Sequence, residues 1–477
     1  MIDLNDLNSY RENNRIEAKK ALGGLPNSLW ETYSAFANTL GGIILLGVEE
    51  RKDKSLHAVN LPDPDIMIEE FWSIINDRER VSLNILTEKD VQIEYVNGKS
   101  IIVIQVPRAE RSDKPIYIDG DAFKGTYRRS GEGDYHCTKD EVQSMFRDAA
   151  AKAQDMLVLE NMNLKVFDYE SVHSYRARMK HTRPGHVWES LDDEDFLFKL
   201  GAVSRGKDGK RYPTVAGLLM FGYEYEIVKE FPYYFLDFHQ QLDDSTQCTD
   251  KIISSSGEWS GNVYDFYFKV YNKIVQDIKT GGNGDEMPVH KALREALANC
   301  IINADYYGRQ GLVIVKKKDV ITFSNPGNFR IGIEEAKSGG VSDPRNTTLI
   351  KMFNLIDIGK HSGSGIPNIY RIWDKQGWEP PVIVENFKPE RITLSLSLGT
   401  DSKKVRVKRV DKVKVYDLQK KTIIEYLTDH ITAKTSELAQ LLGVNDTRIR
   451  NLINALIAED IVVAEGAGKN RTYRLKR

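Results

Sequence analysis

The chain has 477 residues, 41% hydrophobic and 29% charged, with a formal net charge of −2. That balance belongs to a folded chain of several domains and excludes a disordered polyelectrolyte. The three cysteines, Cys137, Cys248 and Cys300, lie far apart in no metal-ligand spacing, which excludes a disulfide framework and fits a reducing compartment.

The opening MIDLNDLNSYRENN is polar and acidic, so no secretory signal is expected. The longest apolar run, residues 41–48, is too short to span a bilayer, and a cytoplasmic protein without a membrane partner is the expectation. Charge is unevenly spread. Residues 401–477 carry 17 Lys and Arg against 10 Asp and Glu, a net of +7, which leaves −9 on the first 400. A basic tail on an acidic body suits local contact with phosphate.

The first stretch, residues 1–150, predicts strands over 42–47, 91–96, 100–106 and 125–129 and a helix over 29–38. A further helix opens at Thr138, with Glu141 three residues on as its capping-box partner. Residues 151–285 form a weakly punctuated connecting α/β region, in which TVAGLLMFG (214–222) predicts a helix packed closely on a sheet.

Residues 286–400 read as another unit. They hold a helix over 289–303 and strands over 312–317 and 320–324 joined at Lys318–Asp319. A turn at Asn325–Pro326–Gly327, a Gly/Ser loop over 361–365 leading into a helix, and a last strand over 392–398 complete it. Residues 401–416 form a basic linker. No repeat is present, and the fold class expected is α+β multidomain.

Residues 417–477 read as three helices and a hairpin: 418–427, 435–442 stopped by Gly443, 447–459 capped by Asn445 and Asp446, then strands over 461–465 and 472–475. That order is a winged helix-turn-helix, whose third helix enters the major groove. Asn445, Thr447, Arg448, Arg450 and Asn451 would meet bases or phosphates, and Lys469, Arg471 and Arg474 on the wing would meet phosphates. A module for dimer contacts, its basic residues solvated, is the alternative.

Near the N-terminus Glu12 and Glu17 stand five apart, Lys19 follows, and Glu49 and Glu50 end a buried run. Such carboxylates could converge on a divalent cation, Mg or Mn. A cation would activate water and offset phosphate charge while lysine steadies the transition state. A salt-bridged surface explains the same residues. The pattern E-x4-E-x-K, then Ala37-Asn38-x-x-Gly41-Gly42, then Gly47-Val48-Glu49-Glu50 resembles the Schlafen AlbA-like domain, and Tyr127-Arg128-Arg129-Ser130-Gly131 resembles its closing strand. The resemblance implies that Glu12, Glu17 and Glu50 hold the metal of a nuclease, with Lys19 assisting. Glu50 stands where an aspartate is usual. In a binding-only relative, Arg128 and Arg129 would contact phosphate.

In the third unit Glu295, Asn299 and Asn303 are spaced by four, which aligns them on one helix face. A glutamate to orient water and an asparagine to hold magnesium would explain a polar line on an apolar helix; a solvent-facing stripe or a hydrogen-bonded helix pair would too. With Asp305 they resemble the N-box of GHKL-type ATPases, in the divergent form found after AlbA-like domains in RecG-like proteins. Asn325-Pro326-Gly327 takes the place of that family's adenine-side D-x-G turn, Arg345-Asn346 matches a recurrent pair, and Gly363-Ser364-Gly365-Ile366 resembles its phosphate lid. The resemblance implies a GHKL-like α/β sandwich binding ATP through Glu295, Asn299, Asn303, Asp305, Asn325, Gly327, Gly363 and Gly365. Asn325 replaces the usual aspartate, and Asn303-Ala304 replaces the usual His-Arg.

Three functions follow. One is an ATP-responsive, Schlafen-type endonuclease acting on RNA or DNA, in keeping with anti-phage or stress roles. Another is a non-enzymatic, DNA-binding transcription regulator that senses ATP; the third is an interaction scaffold. No G-x-x-x-x-G-K-[ST] loop is present, so a motor is not expected. A homo-oligomer is expected, because one winged helix reads few bases.

Overall fold

In the computed structural model residues 3–241, 250–276, 278, 287–359, 363–387 and 389–399 are described, followed by 420, 423, 427, 432–442, 449, 452, 453, 456, 457, 461–465 and 472–476. The chain divides into two units, Met1–Gly399 and Thr400–Arg477. It is a mixed α+β protein with several sheets.

The larger unit begins with β1 (Ile16–Lys19), α1 (Ser28–Asn38), β2 (Gly42–Leu46), β3 (Val48–Glu50), β4 (Leu56–Ala58) and α2 (Pro64–Ile75). Then come β5 (Val91–Val96), β6 (Lys99–Val106), α3 (Ala122–Gly125), β7 (Tyr127–Ser130), β8 (Gly133–His136) and α4 (Lys139–Ala149). Four strands make one sheet in the order β1-β2-β6-β5, with β1 parallel to β2 and the other pairs antiparallel. The apolar run of β2 is what a strand paired on both edges needs. Helix α1 is buried almost all round, with Leu29, Tyr33, Ala35, Phe36 and Ala37 inaccessible, so it acts as the internal strut of this half. The strand predicted from 125 starts at Tyr127, because Asp121 caps a helical turn over the preceding residues. The predicted capping box at Thr138 and Glu141 opens α4.

The unit continues through α5 (Tyr169–Thr182), α6 (Asp193–Leu200), β9 (Val203–Arg205), β10 (Arg211–Pro213), α7 (Val215–Phe221), α8 (Glu224–Glu230), β11 (Leu236–Gln241), β12 (Asp250–Ile253) and α9 (Val263–Val275). It ends with α10 (Pro288–Ile302), β13 (Leu312–Lys317), β14 (Val320–Pro326), α11 (Ile333–Ser338), α12 (Thr347–Leu355), α13 (Gly365–Lys375), β15 (Val382–Phe387) and β16 (Glu390–Ser397). A six-stranded sheet runs β12-β11-β13-β14-β16-β15, and only β11 and β13 are parallel. Helices α7, α9, α10 and α13 share one core with it. The close packing expected around 214–222 is real: a Cβ on Gly217 would collide with the Ala202 carbonyl.

Other elements differ from expectation, two of them beside the cavity described below. The turn placed at 325–327 is strand through Pro326, since Asn325 and Pro326 pair with Ile392 and Arg391. Strand β15 was not expected; its side chains alternate between exposed and half-buried at the sheet edge, too weak an apolar signal to stand out.

In the smaller unit β17 (Ala433–Lys434), α14 (Thr435–Leu442), β18 (Val462–Glu465) and β19 (Thr472–Leu475) are described, with sheet order β17-β19-β18. Ile423, Leu427, Leu438, Ile449, Leu452, Ile453, Leu456, Val462 and Tyr473 share its core. The linker 401–416 and the expected contact residues Asn445, Thr447, Arg448, Arg450, Asn451, Lys469 and Arg471 lie outside the described residues. Among the described residues no helix is long and apolar enough to cross a membrane.

Candidate functional site

Glu17 and Lys19 sit two apart on β1, hence on one face of the strand. Lys19 Nζ donates to Glu17 Oε1 at 2.9 Å and to Ser28 Oγ at 3.2 Å. Arg129 donates to the other Glu17 oxygen at 2.8 Å and to Asp134 at 3.0 Å. Its guanidinium also lies 5.1 Å from the Phe36 ring centroid. Arg129 is 1% exposed at its side chain, and Arg128 is buried on Glu141 at 2.9 Å. The two arginines expected at phosphates are therefore internal cations here, drawn inward by carboxylates.

Glu12 precedes β1 and accepts from the Ala18 amide at 3.0 Å. Burial raises its pKa; the amide works against this, and the nearby charges of Glu17 and Glu50 add to the rise. Glu50 is ion-paired with Lys54 at 3.1 Å through one oxygen, and its Oε1 is buried without a hydrogen-bond partner. Glu12 is thus close enough to Glu17 and to Glu50 to feel both charges. Among the described residues, though, no three such groups converge as a metal-holding set. The physical reason is Glu17, which is turned onto Lys19 and Arg129. As placed, these residues do not fit a three-carboxylate metal site.

The second constellation does converge. A cavity of about 140 Å³ is lined by Glu295, Asn299 and Asn303 from α10, by Asn325 from β14, and by Gly363 and Gly365 from the glycine loop. Its apolar wall includes Phe323, Ile350, Ile383, Ile392 and Leu394. The loop lies tight on the helix: a Cβ on Gly365 would stand 2.6 Å from Glu295 Oε1 and 2.8 Å from Asn299 Nδ2. Gly363 has φ +60°, and a Cβ there would strike the Val341 carbonyl, so it is required by close approach, whereas at Gly365 the ends of the Glu295 and Asn299 side chains would have to give way. Asn325 is buried in the strand, with Nδ2 3.3 Å from the Pro326 carbonyl.

Two expected ligands lie elsewhere. Asp305 follows the end of α10 and accepts from Ser144 Oγ at 3.3 Å, Arg147 at 3.2 Å and the Tyr307 amide at 3.1 Å. It faces α4 and does not line the cavity. Gly327, at φ +98°, gives room to the Arg345 guanidinium, 2.9 Å from where its Cβ would stand.

Residues without a sequence signal complete the wall: Asn328, Arg330 and Asp343, with Arg345 beside them. Arg345 donates to the Asn303 carbonyl at 3.2 Å and the Asn328 carbonyl at 3.1 Å, and is ion-paired with Asp148. Asn346 Nδ2 donates to the Ile302 and Ala304 carbonyls at 2.8 and 2.9 Å, satisfying acceptors that the end of α10 leaves open. The Arg345-Asn346 pair is therefore the tie between this wall and α10. Arg474 of the smaller unit is ion-paired with Glu465 at 2.5 Å across the β18–β19 hairpin.

Three family models match the chain: Schlafen, AlbA_2 over residues 12–138; a domain of unknown function, DUF8451, over 143–237; and "Putative ATP-dependent DNA helicase recG C-terminal" (HATPase_c_4) over 313–394. Helix α10 lies before the last match, yet supplies three of the cavity's polar side chains. No curated protein matches the chain. Among solved structures, the DIP2311 protein from Corynebacterium diphtheriae is 17% identical, with 97% of this chain and 95% of that chain covered and a TM-score of 0.40. The N-terminal domain of a RecG-related protein from Nitrosomonas europaea is 36% identical, covering 28% of this chain and 90% of its own, with a TM-score of 0.23. Residues 12–138 thus match a Schlafen AlbA_2 domain and residues 313–394 an ATPase-type domain of the RecG C-terminal kind.

Proposed function

We propose that this protein binds ATP in the 140 Å³ cavity and acts on nucleic acid through its Schlafen module and its basic C-terminal unit. One observation carries the reading. Polar groups from a helix, a strand and a glycine loop, up to 70 residues apart, face a single cavity with an apolar wall. In a GHKL-like reading of residues 286–400, Asn325 reads the base and the amides of Gly363 and Gly365 approach the phosphates. Asn299 would hold magnesium, which neutralises phosphate charge when bound, and Glu295 would orient water. Because Asn325 offers both a donor and an acceptor, it is able to pair with either edge pattern of a purine.

For the Schlafen module the finer reading is a metal-dependent endonuclease. Its support is crowding: Glu12, raised chiefly by burial, is raised further by the charges of Glu17 and Glu50, and Glu50 Oε1 is buried without a partner. That activity requires Glu17 to leave Lys19 and Arg129. The same ion pairs favour the second reading, an ATP-sensing DNA-binding regulator in which Glu17 is a structural strut. The smaller unit is read as a winged helix covering residues 417–477, and the assembly as a homo-oligomer.

Cleavage of labelled tRNA, single-stranded DNA and duplex DNA with Mg²⁺ or Mn²⁺, with and without ATP, separates the two. Cutting by the wild type that is lost in both Glu17→Ala and Glu50→Gln supports the endonuclease. Duplex binding without cutting, weakened on removal of residues 417–477, supports the regulator.

A further inference from the structure

The cavity's loop wall is held from outside by the N-terminal half of the same unit. Arg108, just after β6, donates to both Glu385 oxygens at 2.7 and 3.0 Å and to the Phe329 carbonyl at 2.7 Å. The Phe329 amide donates to that same carboxylate at 2.8 Å. Arg111 is ion-paired with Asp343 and donates to the Asp148 carbonyl at 2.6 Å. The Asp148 carboxylate is shared by Arg330, at 3.1 Å, and Arg345. Burial alone would raise the Asp148 pKa, but the two guanidiniums outweigh it and hold this carboxyl below its usual range.

Phe329, Arg330, Asp343 and Arg345 all line the cavity, and they come from segments with little regular structure. A loop without a ladder of its own takes its position from tethers such as these, and charge-assisted ones are the strongest available. Arg330 has a further property. Its side chain is 6% exposed, with Nε buried without a hydrogen-bond partner, while another of its nitrogens grips Asp148.

We infer that Arg111, through its pair with Asp343, is a positioning residue for the nucleotide cavity, and that the Schlafen module senses nucleotide bound there across this seam. The inference rests on the reading that the cavity binds ATP. Coupling of this kind is reciprocal: whatever the module does to ATP affinity, ATP does to the module.

Hydrogen–deuterium exchange of the full chain with and without ATP tests it, comparing wild type, Arg111→Ala and Arg111→Lys. In the wild type ATP should protect peptides over 292–303 and 328–345 and also those over 107–118. In Arg111→Ala the protection over 107–118 should vanish and ATP affinity should fall by about fivefold or more. Lysine, which keeps the charge opposite Asp343, should restore part of both, whereas a purely local packing defect would not be rescued by charge. Protection confined to the cavity peptides, or an Arg111→Ala protein that binds and transmits as the wild type does, overturns the inference and leaves the ATP reading intact. No protection anywhere overturns the ATP reading, and this inference with it.

Discussion

Glu17 has two cationic partners below the surface, and that arrangement sets what substitutions there do. Removing one member of a buried pair leaves the other charge uncompensated. Arg129→Ala should therefore destabilise the chain by about 3–5 kcal/mol, read as a lower urea midpoint with an unchanged slope. A loss under about 0.5 kcal/mol would show that the pairs are surface contacts. Gly365→Ala acts differently, because its new methyl meets Glu295 and Asn299 rather than the core. ATP affinity should drop by about tenfold or more while thermal stability changes little.

Glu390 supplies a pH test. Burial raises its pKa from 4.5 to about 7, against a hydrogen bond from Asn328. The folded state then binds this proton more tightly than the unfolded state. Its contribution is complete below 4.5 and is lost as pH rises to about 7. Lys114, which lines the same small seam cavity, is lowered by burial to about 7 from 10.5, so its contribution is lost as pH falls through 7. The two effects occupy different windows. Glu390→Gln should gain stability relative to wild type between about pH 5 and about pH 8, by up to about 3 kcal/mol. Parallel urea curves for the two proteins over that range would contradict the account.

At the scale of elements, helix α10 shows both how far the sequence could be read and where reading stopped. Glu295 and Asn299 are one turn apart inside the helix and Asn303 caps its end, so a spacing of four was enough to bring them together. Asp305 lies beyond the last helical residue, where that periodicity no longer applies, and it faces α4 instead. Glu17 and Lys19 obey the strand period of two, which the E-x4-E-x-K pattern does not itself reveal. The tie through Asn346 was visible only as a recurrent pair, without its role as acceptor-filler for α10. Asn346→Ala would remove both hydrogen bonds to the helix end. It should cost about 1–3 kcal/mol in urea unfolding; an unchanged midpoint would show that water replaces the amide there.

At the scale of the molecule, strand runs and caps made the mixed α+β class legible, while the seam was not. Arg111 and Asp343 are 232 residues apart, and neither stands in any local pattern. Such partners are set by tertiary packing alone. The uneven charge was legible and has its own consequence. If the +7 segment supplies phosphate contacts, removing residues 401–477 should weaken duplex binding and flatten its dependence on salt. Equal salt slopes for the full and shortened chains would assign the contacts to the larger unit.

The most direct measurement is isothermal titration of the full chain with ATP and Mg²⁺, beside Asn299→Ala. The account predicts saturable binding by the wild type, at least about tenfold weaker in the variant, with both proteins equally folded. Absence of binding by the wild type, or equal affinity in the two, would contradict the assignment of this cavity to nucleotide.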